Sequence, residues 1–227
     1  MGFNQNMKVA LISDIHANAQ ALNTLADVLS DADKVLCLGD LTGYYCQVNE
    51  VIDTVRRLNA LCVLGNHDHF LINGCPEDAP ASVQFGIDFA RKTITPDHHK
   101  WLASLPLTWA GVIGGCSILM MHGSPWHPLT DYLYADNPAL TRLNEFDYDV
   151  IACAQTHRVF LQIEHRPFLL NPGSVGQPRD ISACATAMIL DTDTITVTTI
   201  KRAFDPEPVI QLAMRHGAQE WISKHLK

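Results

Sequence analysis

The chain of 227 residues is 47% hydrophobic and 18% charged, and its 16 Lys and Arg against 24 Asp and Glu give a formal net charge of −8. This composition predicts a single α/β domain over residues 1–227, with a flexible N-terminus at 1–6, and excludes a largely disordered chain. The excess of acidic residues argues against electrostatic binding to a nucleic acid polymer or an anionic membrane, so binding of an anionic ligand would need local cations.

The seven cysteines form an odd set without a CxxC pair, and several fall inside apolar segments. We expect small buried side chains in a reducing compartment, and neither disulfides nor zinc ligands. The first residues contain no signal-peptide core, Asn6 stands where myristoylation of Gly2 would need Ser or Thr, and no apolar run reaches the length of a membrane span. These features predict a cytoplasmic protein.

Apolar runs and amphipathic stretches alternate in the first third of the chain. The runs are the short, continuous kind that parallel strands show when both of their faces are buried. Strands are predicted at 8–13, 35–38 and 61–64, and helices at 17–29 and 51–58. Strand, helix, strand, helix, strand at this spacing is typical of right-handed βαβ units and a parallel sheet.

The rest of the chain is less regular, and residues 70–110, which carry four prolines, are predicted to form a helical cap over one edge of the sheet. Further elements are predicted as helices at 82–92 and 97–105, strands at 117–121 and 150–154, an antiparallel hairpin at 187–190 and 195–200, and one or two helices at 208–226. No linker or internal repeat divides the chain.

Side chains that bind metals or transfer protons follow five of the predicted strands. They are Asp14 and His16, Asp40, Asn66 and His67, His122, and Gln155 and His157. For any one of them a satisfied polar turn is the simpler interpretation. Because ligands gather beyond the carboxyl ends of strands in open α/β sheets, the five ends together favour a shared site. Imidazole and carboxylate groups suit Mn, Fe, Zn or Ni better than Ca.

The ordered motifs resemble those of a known family. They are D-x-H at 14–16, GD at 39–40, GNHD at 65–68, HG at 122–123 and x-x-T-H at 154–157. Over about residues 7–215 the chain resembles the calcineurin-like metallophosphoesterase superfamily, and the loops 122–134 and 171–180 resemble its small bacterial branch of single-domain phosphodiesterases. The resemblance implies a four-layer αββα sandwich of two mixed sheets flanked by helices, with a dinuclear metal site at the strand ends.

The resemblance also implies a role for each strand-end residue. Asp14, His16 and His157 would bind one divalent ion, Asn66 and His122 the other, and Asp40 would bridge the two. Mn is the expected metal, with Fe, Zn or Ni as alternatives. A hydroxide activated by two metals would attack the phosphorus, and His67 would protonate the leaving oxygen as the general acid.

Two positions depart from the family pattern. Gln155 stands where a second histidine ligand is expected, and a neutral amide oxygen is a poorer ligand for late transition metals than imidazole. The second metal site is therefore expected to be weaker, tuned toward Mn, or empty. Gly43 stands where the phosphoprotein phosphatases have an aspartate beside the general acid, which argues against a protein phosphatase and for a small-molecule substrate.

Substrate contacts are predicted from two loops. Arg179 would clamp a phosphate with its guanidinium, or would pair with Asp180 at the surface. His127, Trp126 and Tyr132 would line the pocket, or would form an aromatic plug that holds their loop down. Asp68 and His69 are interpreted as support for the site. Five further histidines match no motif and are expected to be solvated: His98, His99, His165, His216 and His225.

These patterns predict a metal-dependent phosphoesterase that acts on a phosphodiester or nucleotide-type ester of a small molecule. One alternative is a scaffold or binding protein on the same fold, which Gln155 keeps open, although a scaffold has no need for a free His67 beside a metal. A second alternative is a phosphomonoesterase, which an enclosed pocket would favour. No oligomeric state is predicted.

Overall fold

Two mixed sheets of five strands each are present in the computed structural model, which describes residues 6–224 and residue 226. The strands are β1 (Lys8–Ile12), β2 (Lys34–Cys37), β3 (Leu61–Cys62), β4 (Thr108–Ile113), β5 (Cys116–Met121), β6 (Val150–Ala152), β7 (Val159–Gln162), β8 (Phe168–Pro172), β9 (Cys184–Asp191) and β10 (Thr196–Ala203). The helices are α1 (Ala19–Asn23), α2 (Ala26–Ser30), α3 (Val48–Arg57), α4 (Asn66–Asn73), α5 (Ala81–Thr93), α6 (Pro96–Ala103) and α7 (Glu207–Arg215), with 3₁₀ helices at Pro138–Glu145 and Glu220–Ser223.

The first sheet has the order β10-β9-β1-β2-β3, and the second has the order β4-β5-β6-β8-β7. Strands β1, β2 and β3 are parallel to one another, as are β5, β6 and β8, whereas β4, β7, β9 and β10 pair antiparallel with their neighbours. Each sheet therefore has a parallel centre, and the carboxyl ends of its central strands lie on one edge. The predicted hairpin is confirmed by the pairing of β9 with β10.

Alternate side chains of the central strands enter different cores. In β1, Val9 and Leu11 pack between the two sheets with Ile118 of β5, while Ala10 and Ile12 point to the helices. A third cluster covers the outer face of the second sheet and joins β5, β6 and β8 to the segment that includes the 3₁₀ helix Pro138–Glu145. Helices, two sheets and this outer segment make four layers, which confirms the predicted αββα fold class.

Several local predictions are wrong in their boundaries. The helix predicted at 17–29 is divided into α1 and α2; at the end of α1 the hydroxyl of Thr24 donates to the Ala21 carbonyl at 2.7 Å. The GNHD segment, expected as a polar turn, instead begins α4. Edge strands β4 and β7 and the 3₁₀ helix Pro138–Glu145 were not predicted. Residues 1–5 and His225 lie outside the described residues.

Helices α4, α5 and α6 occupy most of the segment 70–110, and half-buried side chains from them, such as Phe70 and Phe85, pack against the core on the helix side of the first sheet. The end of that segment, from Thr108, forms β4 of the second sheet. The seven cysteines are free, and all but Cys75 are buried. None of the helices in the described residues combines the length and apolar character that a membrane span requires.

Candidate metal centre

The strand-end side chains predicted from the sequence meet in one place. Five of them have left-handed backbone conformations, which are uncommon outside glycine: Asp14 (φ 51°), His16 (φ 50°), Asp40 (φ 55°), Gln155 (φ 65°) and His157 (φ 58°). Such strain costs about 1–3 kcal/mol per residue and persists where the surrounding structure enforces it, most often at functional sites. The loops therefore hold these side chains in positions that the local sequence alone does not favour.

Three buried imidazoles are oriented in the same way. Each ring nitrogen Nδ1 lies at hydrogen-bond distance from a main-chain carbonyl: His16 from Thr42 at 2.9 Å, His157 from Gln177 at 2.6 Å, and His122 from Leu38 at 2.7 Å. A carbonyl oxygen only accepts hydrogen bonds, so Nδ1 carries a proton in each ring. In the neutral ring, Nε2 is then left with its lone pair directed into the site, as in histidine metal ligands.

The Nε2 atoms and two carboxylates surround a common centre. Nε2 of His16 and Nε2 of His157 are 3.1 Å apart. Asp14 Oδ1 lies 3.2 Å from Nε2 of His157 and 3.7 Å from Nε2 of His16. Asp40 Oδ2 lies 3.3 Å from Nε2 of His122 and 3.6 Å from Nε2 of His16. Asp40 therefore reaches both the His16 side and the His122 side, as expected of a bridging ligand.

The charges of these groups are strongly coupled. Burial disfavours ionised Asp14, but His157 and His122 outweigh it and hold the pKa of Asp14 well below its usual value. His122 and His67 likewise lower the pKa of Asp40 against the effect of burial. Both carboxylates in turn raise the pKa of His122 to about 10, again against burial. Without a metal the two carboxylates thus favour the protonated ring of His122, and a cation bound at Nε2 would take the place of that proton.

Two amide side chains complete the ring of potential ligands. Asn66 Oδ1 lies 3.1 Å from Nε2 of His122. Gln155 donates its main-chain N–H to Asp14 Oδ2 at 3.3 Å. The side-chain oxygen of Gln155 is buried and has no hydrogen-bond partner among the described residues. A buried acceptor without a partner costs about 1–3 kcal/mol, which a ligand such as a cation would relieve.

His67 lies beside the ligands and is held by its main chain. Its N–H donates to Asp40 Oδ1 at 2.9 Å, and its ring centroid is 4.7 Å from that of His16. Nδ1 of the ring is buried and has no hydrogen-bond partner within the described part of the chain. Burial lowers the pKa of His67 to about 3, although the charge of Asp40 opposes this shift. A methyl group on Gly43 would lie 2.3 Å from the same Nδ1.

Asp68 ties the start of α4 to the loop after β2. Its carboxylate accepts the main-chain N–H groups of Gly65 at 3.1 Å, Leu41 at 3.3 Å and Thr42 at 3.0 Å. Burial, followed by the nearby charge of Asp40, raises the pKa of Asp68 to about 6. This carboxylate therefore positions Asp40 and the His67 helix relative to each other.

The predicted substrate residues have different environments. Arg179 is half-buried, and the carboxylate of Asp180 accepts main-chain N–H groups of Val159 and Ile181; no ion pair joins Arg179 to Asp180 among the described residues. The predicted alternative, an exposed Arg179–Asp180 pair, is therefore wrong. The Nε atom of Arg179 is buried and has no hydrogen-bond partner among the described residues.

The loop after His122 carries aromatic groups with two kinds of contact. Trp126 packs against Phe146 at a ring distance of 5.7 Å and belongs to the outer core, as a plug would. Tyr132 is 42% exposed and stacks on Tyr134 at 6.2 Å. The side chain of His127 is exposed, while its main-chain carbonyl accepts the N–H of Ser124 at 3.1 Å within the turn.

One histidine outside the site contradicts its prediction. His98 is only 7% exposed, and its ring nitrogens lie 2.8 Å from Asn49 Oδ1 and 3.0 Å from Asp53 Oδ1. It joins α6 to α3 and is not solvated. His165 and His216 are exposed, as expected, and His99 is half-buried.

Tyr44 is the site residue that the sequence analysis missed. It is 8% exposed, and its ring lies 4.6 Å from that of His16 and 4.9 Å from that of His67. Burial raises the pKa of Tyr44 to about 12, and the positive charge of Arg179 partly offsets this. Its position four residues after Asp40 in GDLTGYY was the available signal, but an aromatic residue in a turn is more often a packing group.

The donor set fits divalent metals. Three sets of three side chains could each hold a metal ion, because the potential ligand atoms within a set lie within 4.8 Å of one another. The sets are Asp14, His16 and His157; Asp14, Asp40 and His122; and His16, Asp40 and His67. Imidazole nitrogens and ionised carboxylates converge there. Since lone pairs and negative charges repel one another, the arrangement suits one or more bound cations.

Comparisons with known proteins identify the family of the chain. Residues 7–195 match the calcineurin-like phosphoesterase superfamily domain. An uncharacterized protein of Methanocaldococcus jannaschii is 30% identical over 240 residues, covering 96% of each chain. A crystal structure of a metallophosphoesterase from Sphaerobacter thermophilus is 27% identical, with a TM-score of 0.83 over 98% of each chain. A hypothetical protein from Pyrococcus horikoshii shares the fold at 20% identity, with a TM-score of 0.86 over 96% of this chain and 97% of its own. The chain therefore belongs to the calcineurin-like phosphoesterase superfamily of metal-dependent phosphoesterases.

Proposed function

We propose that this protein hydrolyses a phosphodiester or nucleotide-type phosphate ester of a small molecule, with two divalent ions at the candidate metal centre. The observation that carries the proposal is the shared orientation of His16, His122 and His157. Each turns Nδ1 to a main-chain carbonyl; Nε2 of His16 and His122 lies near the carboxylates of both Asp14 and Asp40, and Nε2 of His157 lies near that of Asp14. This common orientation of the three rings is the one that histidine metal ligands adopt.

Seven side chains would hold the metals. Asp14, His16 and His157 form one side, His122 and Asn66 the other, Asp40 reaches both, and Gln155 adds an amide oxygen. Divalent ions in such a site lower the pKa of water and neutralise phosphate charge. The mixture of imidazole, carboxylate and amide oxygen favours Mn, with Fe, Zn or Ni as alternatives.

His67 is the proposed general acid. It is held beside Asp40 by its main-chain N–H, and Nδ1 of its ring has no hydrogen-bond partner among the described residues. The lowered pKa makes the ring neutral at pH 7 in the metal-free protein. An anionic phosphate next to the ring favours its charged form, so proton uptake accompanies substrate binding in this proposal. A positioned acid of this kind contributes about 10²–10⁴-fold to the rate.

Arg179 is the proposed contact for a non-reacting phosphate oxygen. Its buried Nε has no partner among the described residues, and its charge acts on both Tyr44 and His157. Tyr132 and His127 are proposed as further lining of the substrate site. The free cysteines support a reducing, cytoplasmic setting for the protein.

The test combines metal analysis with an assay. Elemental analysis of protein purified with metal is expected to give about two metals per chain, and bis(p-nitrophenyl) phosphate should be hydrolysed with added Mn²⁺ and not after chelation. One metal per chain would indicate that Gln155 leaves the second site weak. No bound metal under replete conditions would favour the scaffold alternative, and full activity after chelation would refute the mechanism.

The role of His67 has its own test. His67→Ala should lose about 10²–10⁴-fold in turnover while the metal content stays unchanged. Comparison of p-nitrophenyl phosphate with bis(p-nitrophenyl) phosphate then separates the phosphomonoesterase alternative from the diesterase. Equal turnover by His67→Ala and the parent protein would contradict the acid assignment.

A further inference from the structure

The imidazole of His67 is held differently from the three ligand imidazoles. His16, His122 and His157 each donate the Nδ1 proton to a main-chain carbonyl. The main-chain N–H of His67 donates to Asp40 Oδ1 at 2.9 Å, but no hydrogen bond joins its ring to any of the described residues. The orientation of this ring therefore depends on the side chains that pack against it.

Three rings surround the imidazole of His67. The ring of Tyr44 lies 4.9 Å away at an interplanar angle of 35°, and that of Phe70 lies 5.9 Å away at 44°. His16 meets it edge-on at 4.7 Å. Ring pairs at about 4.5–7 Å in tilted or edge-on arrangements attract each other. Tyr44 and His67 are both buried, and Tyr44 is the nearest of these rings that is not a candidate metal ligand.

The main chain around Tyr44 is fixed, so its ring can serve as a rigid wall. Tyr44 has a left-handed conformation with φ 52°. The next residue, Tyr45, donates its main-chain N–H to the carbonyls of Gly43 at 2.6 Å and His16 at 3.3 Å. Helix α5 packs directly against this turn, since a methyl group on Gly86 would lie 2.1 Å from the nitrogen of Tyr44. Left-handed conformations of this kind persist where the surrounding structure enforces them, most often at functional sites.

Gly43 completes the wall from a second direction. A methyl group on Gly43 would lie 2.3 Å from Nδ1 of His67 and 3.2 Å from its Cβ, so the main chain at Gly43 approaches the edge of the imidazole. The ring of His16, which Tyr44 also contacts at 4.6 Å, has a separate hold through the carbonyl of Thr42 at 2.9 Å. Loss of the Tyr44 ring would therefore release His67 and leave His16 in place.

We propose that Tyr44 is a positioning residue for His67, and that its ring holds the imidazole in the orientation from which a proton reaches the leaving oxygen. The inference rests on the proposed function, in which His67 is the general acid. Packing has an advantage over a hydrogen bond for this purpose. A carboxylate or carbonyl partner would occupy one ring nitrogen, whereas an aromatic neighbour leaves both nitrogens available to carry the transferred proton.

Kinetics of Tyr44 variants test the proposal. Tyr44→Ala should lower kcat for bis(p-nitrophenyl) phosphate at saturating Mn²⁺ by at least about tenfold, because a misplacement of about 1 Å costs on the order of 10²-fold. KM should stay within about twofold, since the ring positions the acid and does not bind substrate. Tyr44→Phe keeps the ring and should retain kcat within about threefold of the parent. A raised KM with unchanged kcat, or an equal loss in Tyr44→Phe, would overturn the proposal.

A double variant tests whether the two side chains act as a unit. In a His67→Ala background, Tyr44→Ala should cost less than about twofold more, because residues that act together lose their effect only once. Losses that multiply would show that Tyr44 acts on another group and would overturn the proposal. Phe89→Ala is the matched control, since Phe89 packs on the same helical core and its described ring contacts are with Phe85 and His216. It should lower Tm and leave kcat unchanged.

Crystal structures and calorimetry supply readouts that do not depend on turnover. The ring of His67 should occupy one position in the parent and in Tyr44→Phe, and more than one position in Tyr44→Ala. Mn²⁺ should bind Tyr44→Ala within about threefold of its affinity for the parent, because Thr42 holds Nδ1 of His16. Weaker binding would place the effect of Tyr44 on the ligand His16 and would overturn the proposal.

The position of the His67 ring also separates this inference from the proposed function. A single, parental ring position in Tyr44→Ala would overturn the positioning role even if the parent hydrolyses bis(p-nitrophenyl) phosphate. A displaced ring in a protein that hydrolyses no phosphate ester with Mn²⁺ would support the contact between Tyr44 and His67 and would contradict the phosphoesterase proposal alone.

Discussion

The replacement Gly43→Ala tests whether the position of His67 controls turnover. Gly43 has φ +92°, and a methyl group there would lie 2.3 Å from Nδ1 of His67. To reach an ordinary contact distance of 3.4 Å, the imidazole has to withdraw by about 1.1 Å. A misplacement of about 1 Å costs on the order of 10²-fold in rate, so Gly43→Ala should reduce kcat by about that factor.

The same replacement also has a backbone cost that must be separated from its effect on His67. An alanine at positive φ is destabilised by about 1–2 kcal/mol, which lowers Tm by roughly 2–8 °C for a chain of this size. Gly217 has φ +97° and has open space where a methyl group would be added. Gly217→Ala is therefore the matched control, with a similar loss of Tm and unchanged turnover.

The assay measures hydrolysis of bis(p-nitrophenyl) phosphate at saturating Mn²⁺, together with Tm with and without the metal. Gly43→Ala should keep the rise in Tm that Mn²⁺ causes, because the replacement does not touch the ligands Asp14, His16, His122 and His157. If Gly43→Ala and Gly217→Ala turn over substrate equally, the contact between Gly43 and His67 does not control catalysis and the reasoning is refuted.

Three further changes test separate parts of the structure. Gln155→His should tighten binding of the weaker metal, because imidazole replaces a neutral amide oxygen; unchanged calorimetric affinity would contradict the ligand assignment. Asp68→Ala should lower the free energy of unfolding by about 3 kcal/mol in urea denaturation, since three main-chain N–H groups lose a buried acceptor. Asp88→Ala is the control at an exposed carboxylate and should change the free energy of unfolding by less than about 0.5 kcal/mol. Burial raises the pKa of Asp149, but hydrogen bonds from Ser117 outweigh it and lower the pKa below its usual value. Ionised Asp149 therefore stabilises the fold above the unfolded pKa of about 4, and this stability is lost as pH falls through the lower folded pKa. Asp149→Asn should cost about 1–2 kcal/mol at pH 7, and the difference from the parent should shrink below pH 4; a constant difference at all pH values would exclude this linkage.

Much of the architecture could be predicted from local sequence patterns. The strands β1, β2, β5 and β6 are short apolar runs because both of their faces are buried, and such runs are visible without any knowledge of their partners. The edge strand β7 was not predicted, because its apolar run covers only residues 159–161 and all four of its residues are half-buried; its pairing with β8 shows only in the tertiary structure.

Packing decided the state of several polar residues. The helix that begins at Asn66 was not predicted, because Asp68 stabilises its start through main-chain groups that are distant in sequence, such as the N–H of Thr42. His98 was expected in solvent, but α3 supplies Asn49 and Asp53 as partners for its ring. Hydrogen bonds between elements that are far apart in the chain leave no periodic signal in the sequence.

The sequence by itself determined which residues stand at the strand ends, since ligand chemistry and strand boundaries are local properties. Only the tertiary structure decided how they are aimed. His16, His122 and His157 are oriented by the main-chain carbonyls of Thr42, Leu38 and Gln177, and every residue has such a carbonyl. The same holds for Tyr44, whose ring meets the rings of His16 and His67 only when the chain is folded.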